Sequence, residues 1–368
     1  MRVFCPDCGA QQTLTPQRWR CDCGGAWEPV ERADFDPTLI DAADCSVWRY
    51  RRLYGADFET PQVRLGAGWT PLLSLDFSGR QVGFKLEYFA PTASFKDRGT
   101  AMMINVLAHQ GVTHVADDSS GNAGASVAAY AARAGMQADI FVPAYASPAK
   151  QAQIAVYGAR VHPIAGPRNN AKLAAFEAAE RGVSLASHAY HPGFLLGQQS
   201  MAWELWEQMG RRAPDWLVVP VGQGLHLLGV WLGFRRLKAA GWVDRLPRLV
   251  AVQAARLAPL VKAFEAGLET VPGVEPAAQT VAEGLSIAQP VRGRRLLQAV
   301  RQTGGVCVAV EDTAILAAQD RLARQGLYIE PTSATAVAAL EAVFALAAPE
   351  DAIVVPLTGS GLKGSPRL

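Results

Sequence analysis

Short apolar segments with the composition of buried strands recur along the chain, and helix-type segments separate most of them. The strand-type segments are Val82–Leu86, Thr113–Asp117, Asp139–Val142, Arg160–Ile164, Trp216–Val221, Leu249–Gln253, Val306–Val310 and Ile353–Leu357. Helix-type segments include Ala171–Arg181, Met201–Met209 and Thr313–Ala323. Strands that are buried on both faces read as continuous apolar runs, so this alternation predicts an α/β protein with parallel sheets covered by helices.

The size and charge of the chain restrict its function further. Its 368 residues are half hydrophobic and 18% charged, which allows a substantial core in two domains or in one domain with two lobes. The net charge is +2 without any basic run, so nucleic-acid or membrane-surface binding has no electrostatic support. We see no signal peptide and no apolar stretch of membrane-spanning length, and we expect a cytoplasmic protein.

The most informative residue is Lys96, in the segment Pro91-Thr92-Ala93-Ser94-Phe95-Lys96-Asp97-Arg98-Gly99. An apolar helix is predicted to follow from Thr100, which puts Lys96 near a helix start. The N-terminus of a helix disfavours a nearby cation, so an amine at this position loses its proton more easily than usual. The alternative is a solvated lysine that pairs with Asp97 or with a later carboxylate.

Three other polar, glycine-rich segments follow or end apolar runs, as loops at the ends of strands do: Ser119–Gly124, Val221–Gly229 and Leu357–Lys363. Glycine lets the backbone approach an anion, and free N–H groups at a helix start bind it. The middle segment alone would equally suit a nucleotide, but the dinucleotide-binding fingerprint is absent and no P-loop lysine follows. A lysine and several such loops are what a pyridoxal phosphate (PLP) site needs, because the amine forms a Schiff base with the cofactor.

Taken in order, the four segments resemble those of the PLP enzymes of fold type II, the tryptophan synthase β-subunit fold, and within that group they look most like threonine synthase. The resemblance runs from Gly68-Trp69-Thr70-Pro71-Leu72 to the C-terminus. It implies a catalytic domain over residues 31–368 with two α/β lobes and PLP between them. The smaller lobe would span about residues 95–188, and the larger lobe would combine 31–94 with 189–368. It also implies a homodimer.

The resemblance implies roles for individual residues. Lys96 would carry PLP and move the Cα proton of the substrate. Asn122 would hydrogen-bond the phenolic oxygen of the cofactor, where the alternative is a simple helix cap. Thr358 would meet the pyridine nitrogen, and a hydroxyl there favours elimination and replacement over transamination because it does not hold that nitrogen protonated. The cofactor phosphate is expected at Gly222, Gln223, Gly224, Leu225 and His226. Substrate contacts are expected at Ser94, Ser120, Ala123 and His188.

The chain departs from threonine synthase where that family binds the phosphate of O-phosphohomoserine. Ala123 stands in the place of a threonine, and His188, Ala189 and Phe194 stand in the places of asparagine, serine and arginine. Each lost charge-assisted hydrogen bond removes roughly 1.5–3 kcal/mol. O-phosphohomoserine is therefore predicted to be a poor substrate, unless other polar residues rebuild the anion site. The candidates for that are His188, His191, Arg168 and Asn169.

We therefore interpret the chain as a PLP-dependent carbon–oxygen lyase that resembles threonine synthase and acts at Cβ or Cγ of a small amino acid. A threonine or serine dehydratase, or another β-lyase or β-replacement enzyme, is the alternative within the same chemistry. A non-catalytic binding protein that keeps the fold is the alternative of a different class.

Four of the six cysteines lie in the first 23 residues, as Cys5-x-x-Cys8 and Cys21-x-Cys23, each pair followed by glycine. In a reducing compartment such pairs bind metal rather than form disulfides. The pattern predicts a small zinc ribbon over residues 1–30, with one structural zinc ion that such a short segment needs in order to stay folded. The alternative is a degenerate ribbon that keeps the thiols without a metal.

Overall fold

The N-terminal segment folds as a small antiparallel sheet. The computed structural model describes residues 1–30, 32–274 and 279–364, so the domain boundary predicted at residue 31 and the last four residues lie outside the described part. Strands β1 (Arg2–Phe4), β2 (Gln11–Thr13) and β3 (Glu28–Pro29) pair in the order β2-β1-β3. Strands of two or three residues cannot bury a core by themselves, so this sheet depends on other contacts.

The remaining strands, in chain order, are β4 (Leu72–Phe77), β5 (Arg80–Lys85), β6 (His114–Asp117), β7 (Gln137–Pro143), β8 (Arg160–Ile164), β9 (Ser184–Leu185), β10 (Trp216–Pro220), β11 (Arg248–Ala254), β12 (Val306–Val310) and β13 (Ile353–Pro356). They form two sheets. The larger has the order β12-β11-β10-β13-β5-β4, and the smaller has the order β8-β7-β6-β9.

The α-helices, in chain order, are α1 (Arg51–Tyr54), α2 (Lys96–His109), α3 (Asn122–Arg133), α4 (Pro148–Ala155), α5 (Arg168–Glu180), α6 (Pro192–Gln198), α7 (Ser200–Gln208), α8 (Leu225–Ala239), α9 (Pro259–Glu265), α10 (Gly293–Gln302), α11 (Asp312–Ala323), α12 (Pro331–Ala338) and α13 (Leu340–Phe344). Among the described residues, no helix combines the length and the apolar character that a bilayer crossing requires.

The predicted α/β class is confirmed, and every predicted strand is found within a few residues of its expected position. The smaller sheet is parallel throughout. The larger sheet is parallel except at one edge, where β4 pairs antiparallel with β5. The predicted strands thus all pair in parallel, and the antiparallel edge strand β4 is one that the sequence analysis missed. Ser78 and Gly79 join β4 and β5 as a tight hairpin, and Gly79 adopts a φ of 77° there.

Several residues before Gly66 pack into the core, although this stretch has neither the apolar runs nor the helical pattern of the predicted elements. Trp48, Tyr50 and Leu53 are each at most 1% exposed. Arg49 pairs with Glu207 of α7 at 2.7 Å, and the Tyr50 hydroxyl donates to the same carboxylate at 2.6 Å. The Arg49 charge and the Tyr50 hydroxyl are thus satisfied by a partner from α7, which composition alone does not reveal.

The N-terminal sheet is tied to the rest of the chain by a buried ion pair. Glu28, only 1% exposed, accepts hydrogen bonds from Arg295 at 2.9–3.2 Å and lies 3.4 Å from Arg292. Arg292 also donates to the carbonyl groups of Trp27, at 2.8 Å, and Tyr190, at 3.1 Å. One guanidinium therefore joins the ribbon to the loop that follows β9.

Candidate active site

The loop before α2 is fixed by backbone hydrogen bonds to the loop after β13. The N–H of Phe95 donates to the carbonyl of Thr358 at 2.9 Å, and the N–H of Ser360 donates to the carbonyl of Ala93 at 3.1 Å. Ala93 has a φ of 58°, a conformation that non-glycine residues rarely adopt and that is often found at functional sites. The structure thus places the Lys96 segment and the Thr358 segment side by side.

Lys96 is the first residue of α2, and its side chain is partly exposed. Burial lowers the pKa of its ammonium group to about 8, although Glu330 and Asp117 act in the opposite direction. The next residue, Asp97, accepts hydrogen bonds from the N–H and hydroxyl of Thr92, both at 2.6 Å, and from the Ser126 hydroxyl at 2.5 Å. Asp97 therefore anchors the helix start while the neighbouring amine is left to react.

Asn122 is the first residue of α3 and faces a carboxylate that the sequence analysis missed. Its amide donates to both oxygens of Glu330 at 3.0 Å, and its carbonyl oxygen accepts from Lys363 at 2.6 Å. Burial raises the pKa of Glu330, while the Asn122 hydrogen bond opposes that change. The sequence signal that could have found Glu330 is its position directly before Pro331, where α12 begins.

The turn before α3 carries two acidic residues. Asp117 is fully buried, and its Oδ2 accepts from the N–H of Ser119 at 3.2 Å. Burial and the neighbouring charge of Asp118 raise the pKa of Asp117 to about 8. A Cβ at Gly124 would lie 1.9 Å from the Ser119 carbonyl oxygen, so only glycine lets α3 begin this close to the turn. Ser120, a predicted substrate contact, lies partly exposed in the same turn.

The predicted phosphate loop lies between β10 and α8. Gly224, with a φ of 78°, is the N-cap of α8. The N–H groups of the first helical residues, Leu225 and His226, therefore have no carbonyl partner within the helix. A Cβ at Gly222 would lie 2.9 Å from the Gly284 carbonyl oxygen. The Gln223 side chain is engaged elsewhere, since its oxygen accepts from the N–H of Val291 at 3.0 Å. The backbone of Gln223 is therefore the part that can face an anion.

His226 connects this loop to the lysine segment. Its Nδ1 lies 2.7 Å from the side-chain oxygen of Gln198, whose amide donates to the carbonyl of Phe95 at 3.2 Å. The rings of His226 and Phe95 are 4.5 Å apart. Burial lowers the pKa of His226 to about 3, so its imidazole is neutral. Gln198 is a second positioning residue that the sequence analysis missed.

Several buried polar atoms of the segments described above, and of His188, have no hydrogen-bond partner among the residues that the structure describes. They are Ser94 Oγ, Thr358 Oγ1, Asp117 Oδ1, His188 Nδ1 and His226 Nε2. Leaving a buried polar group unpaired costs roughly 1–3 kcal/mol, so a cluster of them indicates a site for a polar ligand. Hydroxyl groups, a lysine amine and a helix N-terminus are also the groups that a pyridine nitrogen, an aldehyde and a phosphate require. The residues present therefore fit PLP.

The wall that carries His188 is otherwise apolar. Phe194 is fully buried, and its ring centroid lies 5.9 Å from that of His188. A Cβ at Gly99 would lie 2.6 Å from the Phe194 ring, so the two residues pack closely. Ala123 and Ala189 are 2% and 6% exposed. Burial, with the positive charges of Lys96 and Arg168, holds the pKa of His188 well below its ordinary value. His188 is thus a neutral polar group in an apolar wall.

The four N-terminal cysteines come together at the ribbon. The sulfur atoms of Cys5, Cys8, Cys21 and Cys23 all lie within 4.8 Å of one another. The Cys5–Cys23 and Cys8–Cys21 sulfur pairs are each separated by 3.5 Å. Four sulfur atoms at this spacing suit a tetrahedral metal ion with bonds of about 2.3 Å.

Comparison with known proteins agrees with this geometry. The family model described as pyridoxal-phosphate dependent enzyme matches residues 63–359. Threonine synthase from Methanocaldococcus jannaschii is 31% identical, over 98% of this chain and 92% of that protein. A threonine deaminase from T.th. is similar in structure, with a TM-score of 0.70 and 26% identity over 81% of this chain and 94% of that chain. Maize serine racemase shares the fold, with a TM-score of 0.71 and 24% identity over 86% of this chain and 94% of that chain.

Proposed function

The chain belongs to the pyridoxal-phosphate dependent enzyme family, and from this we propose that it catalyses elimination or replacement at Cβ or Cγ of an amino acid, as a carbon–oxygen lyase. The observation that carries the proposal is the Lys96 amine. It has a pKa of about 8, lowered by burial, and it belongs to a segment that pairs with the Thr358 segment, where the Ser94 and Thr358 hydroxyls have no partner among the described residues. Such an amine is partly neutral near neutral pH, whereas an ordinary lysine is almost fully protonated.

The roles of the residues follow from their chemistry. Bound PLP supplies an electron sink for the charge that develops when an amino acid loses its Cα proton. Lys96 would hold the cofactor and, once displaced by substrate, accept that proton at its Nζ. Thr358 would meet the pyridine nitrogen through its unpartnered hydroxyl, and Asn122 the phenolic oxygen. The free N–H groups around Gly224 would hold the phosphate.

The test is chemical labelling of the lysine. Borohydride reduction of the yellow protein, followed by peptide mapping, should place the label on Lys96. Label on another lysine would contradict the assignment. A protein that stays colourless when PLP is added would instead favour a non-catalytic binding protein with this fold.

A threonine or serine dehydratase is the second candidate. The similarity to a threonine deaminase at 26% identity favours it. A spectral screen of amino acids, with phosphate and keto-acid release measured in parallel, separates the two. Threonine synthase chemistry releases phosphate from a phosphate ester, whereas a dehydratase releases a keto acid and ammonia from a hydroxy amino acid.

We also propose that Cys5, Cys8, Cys21 and Cys23 bind one structural zinc ion, supported by sulfur atoms within 4.8 Å of one another. Elemental analysis of protein purified without chelator should find one zinc per chain. Removal of the metal should unfold the ribbon, which a change in the fluorescence of Trp19 would report because its ring packs 4.4 Å from Phe176. The visible absorbance of the bound cofactor should persist. Protein without zinc would overturn this assignment.

The division into lobes, the homodimer and the cytoplasmic location are proposals of the same kind. The four-stranded sheet falls within residues 95–188, which supports the smaller lobe as proposed. The homodimer rests on the family resemblance, and a sedimentation measurement tests it.

A further inference from the structure

The position of Glu28 in the N-terminal sheet depends on both cysteine pairs. Glu28 of β3 lies opposite Phe4 of β1, the residue directly before Cys5. Three residues before Glu28, the carbonyl of Gly25 accepts from the N–H of Cys21 at 2.9 Å. Because strands this short do not stay folded by themselves, a metal ion that joins the four sulfur atoms also fixes Glu28.

Glu28 in turn holds two arginines at the start of α10. Its carboxylate accepts from Arg295 at 2.9–3.2 Å and lies 3.4 Å from Arg292, and all three residues are at most 8% exposed. Arg292 also donates to the carbonyl of Trp27 at 2.8 Å. Removing one partner of a buried ion pair leaves an uncompensated charge, so the arginines keep these positions only while Glu28 keeps its own.

The start of α10 also contacts the predicted phosphate loop. The N–H of Val291 donates to the side-chain oxygen of Gln223 at 3.0 Å. Leu296 is fully buried, and a Cβ at Gly224 would lie 2.3 Å from its Cδ2, so these two residues pack in direct contact. Residues 291–296 therefore contact the N-terminal sheet by two arginines and the phosphate loop by the residues on either side of them.

We propose that the N-terminal sheet is a regulatory metal site that controls the affinity of this chain for its cofactor. Zinc, a divalent cation that thiolates bind well, joins the four cysteines and so orders Glu28. Glu28 fixes residues 291–296, and these residues hold the phosphate loop in the conformation that binds PLP. Glu28 is thus a positioning residue that acts through Arg292 and Arg295.

This coupling rests on the proposed function, because it joins the proposed cofactor site to the proposed zinc site. Coupling between two binding sites is reciprocal: if zinc raises the affinity for PLP by some factor, PLP raises the affinity for zinc by the same factor. Such factors typically lie between about 5-fold and about 150-fold. We expect a factor of about ten here, since the link runs through buried ion pairs and a single hydrogen bond.

The test is a PLP titration of the full chain with zinc bound, and again after a chelator has removed the zinc and dialysis has removed the chelator. The dissociation constant of PLP, read from the visible absorbance of the bound cofactor, should be about tenfold higher without zinc. One equivalent of zinc should restore the tighter binding. At saturating PLP the absorbance should be the same in both forms.

The reverse measurement needs no substitution, so it tests the coupling even where a variant fails to fold. Zinc affinity of the wild type, measured by competition with a chelating dye, should be about tenfold higher with PLP bound than without it.

One variant breaks the link without touching either site. Glu28→Gln keeps the four cysteines and should still bind zinc, but it should bind PLP with the affinity of the zinc-free wild type, whether or not zinc is present. A purely structural role of Glu28 would lower the stability of the N-terminal sheet and leave the PLP affinity of the zinc-bound protein as it is. The control is Arg18→Gln, which removes one charge from an exposed ion pair with Asp22, at 2.8 Å, in the same segment. It should leave the coupling factor unchanged.

Two results would overturn the coupling while leaving both proposed sites intact. One is a protein that binds one zinc and carries PLP on Lys96, yet has the same PLP affinity with and without the metal. The other is a Glu28→Gln variant in which zinc changes the PLP affinity as much as in the wild type. Absence of zinc from the purified protein, or of label at Lys96, would instead refute the proposed function, and this coupling with it.

Discussion

Two groups of buried polar residues lie on opposite sides of the first turn of α2, and they differ in whether their hydrogen bonds are made. Lys96 is partly exposed, and Arg98, two residues later, lies on the opposite side of the helix and is buried. Arg98 binds Glu87 at 2.6 Å and Glu204 at 2.7 Å, and Lys85 also pairs with Glu204. All four side chains are fully buried. The second group instead includes buried atoms of Ser94, Thr358, Asp117 and His188 that have no hydrogen-bond partner among the described residues.

The two groups also differ in how their pKa values are shifted. Burial alone would raise the pKa of Glu204, but Arg98 and Lys85 hold it at about 2, so that carboxylate stays charged and paired. In the second group, burial lowers the pKa of Lys96 to about 8, and the nearby carboxylates Glu330 and Asp117 do not offset that change. Burial and the charge of Asp118 raise the pKa of Asp117 to about 8. A satisfied buried network stabilises a fold, whereas an unsatisfied one is available to a ligand.

The largest expected effect is on catalysis. Lys96→Ala should lower turnover by roughly 10⁴-fold or more, because it removes both the cofactor link and the proton acceptor. The melting temperature of the cofactor-free protein should fall little, since the substitution also removes the cost of burying an amine. Steady-state kinetics and thermal unfolding together test this. A variant that keeps its activity would place the chemistry on another residue.

The next effect is on stability, and it concerns the buried ion pairs of Glu204 with Arg98 and Lys85. Glu204→Gln should destabilise the protein by about 3–5 kcal/mol, because Arg98 and Lys85 lose their shared counter-charge in a dry environment. Glu207→Gln, in the same helix, is the matched control. Its ion pair with Arg49 is partly exposed, so the cost should be clearly smaller. Urea unfolding of both variants measures the difference, and equal costs would refute the contrast drawn here.

A smaller effect depends on pH. The unfolded Asp117 ionises near pH 4, whereas its folded pKa is about 8, so between these values the folded state retains a proton that the unfolded state has lost. Stability from this group is therefore complete below about pH 4 and declines as the pH rises to about 8. Asp117→Asn should remove this decline, so its advantage over the wild type should grow by roughly 1 kcal/mol per pH unit between about pH 5 and pH 8.

Urea unfolding of the wild type and Asp117→Asn at pH 5 and at pH 8 checks this prediction. Asp320→Asn, at an exposed position on α11, is the control and should leave the pH dependence as it is. If the free energy of unfolding had the same pH dependence in the wild type and in Asp117→Asn, Asp117 would be ionised in the folded state.

The smallest effect sharpens the comparison most. Thr358→Val removes a buried hydroxyl that has no partner among the described residues, so the cofactor-free protein should lose no stability. The affinity for PLP should fall about tenfold, through the loss of one hydrogen bond to the ring nitrogen. Equilibrium titration with PLP measures this effect. Unfolding that became easier without the cofactor would mean that the hydroxyl already has a structural role.

The sequence predicts the alternation of strands and helices, because apolar runs and glycine-rich turns are local patterns. It also identifies Lys96, Asn122 and Thr358 as candidates through short motifs. It predicts neither the antiparallel edge strand β4 nor the buried role of Trp48 and Tyr50, because these features depend on how segments pack in space. Glu330 is likewise missed, since it lies 208 residues from Asn122 in the chain and meets it only in the folded protein.

What the sequence determined by itself is thus the fold class, the family and a candidate lysine, each carried by residues that are close together in the chain. The tertiary structure decided which charges are neutralised and which are left available. By its residue type Arg168 is a candidate anion ligand, but only the folded structure shows that its guanidinium pairs with Asp118 at 3.0 Å. Electrostatic interactions depend on distance in space and on burial, and neither is encoded in the spacing of residues along a chain.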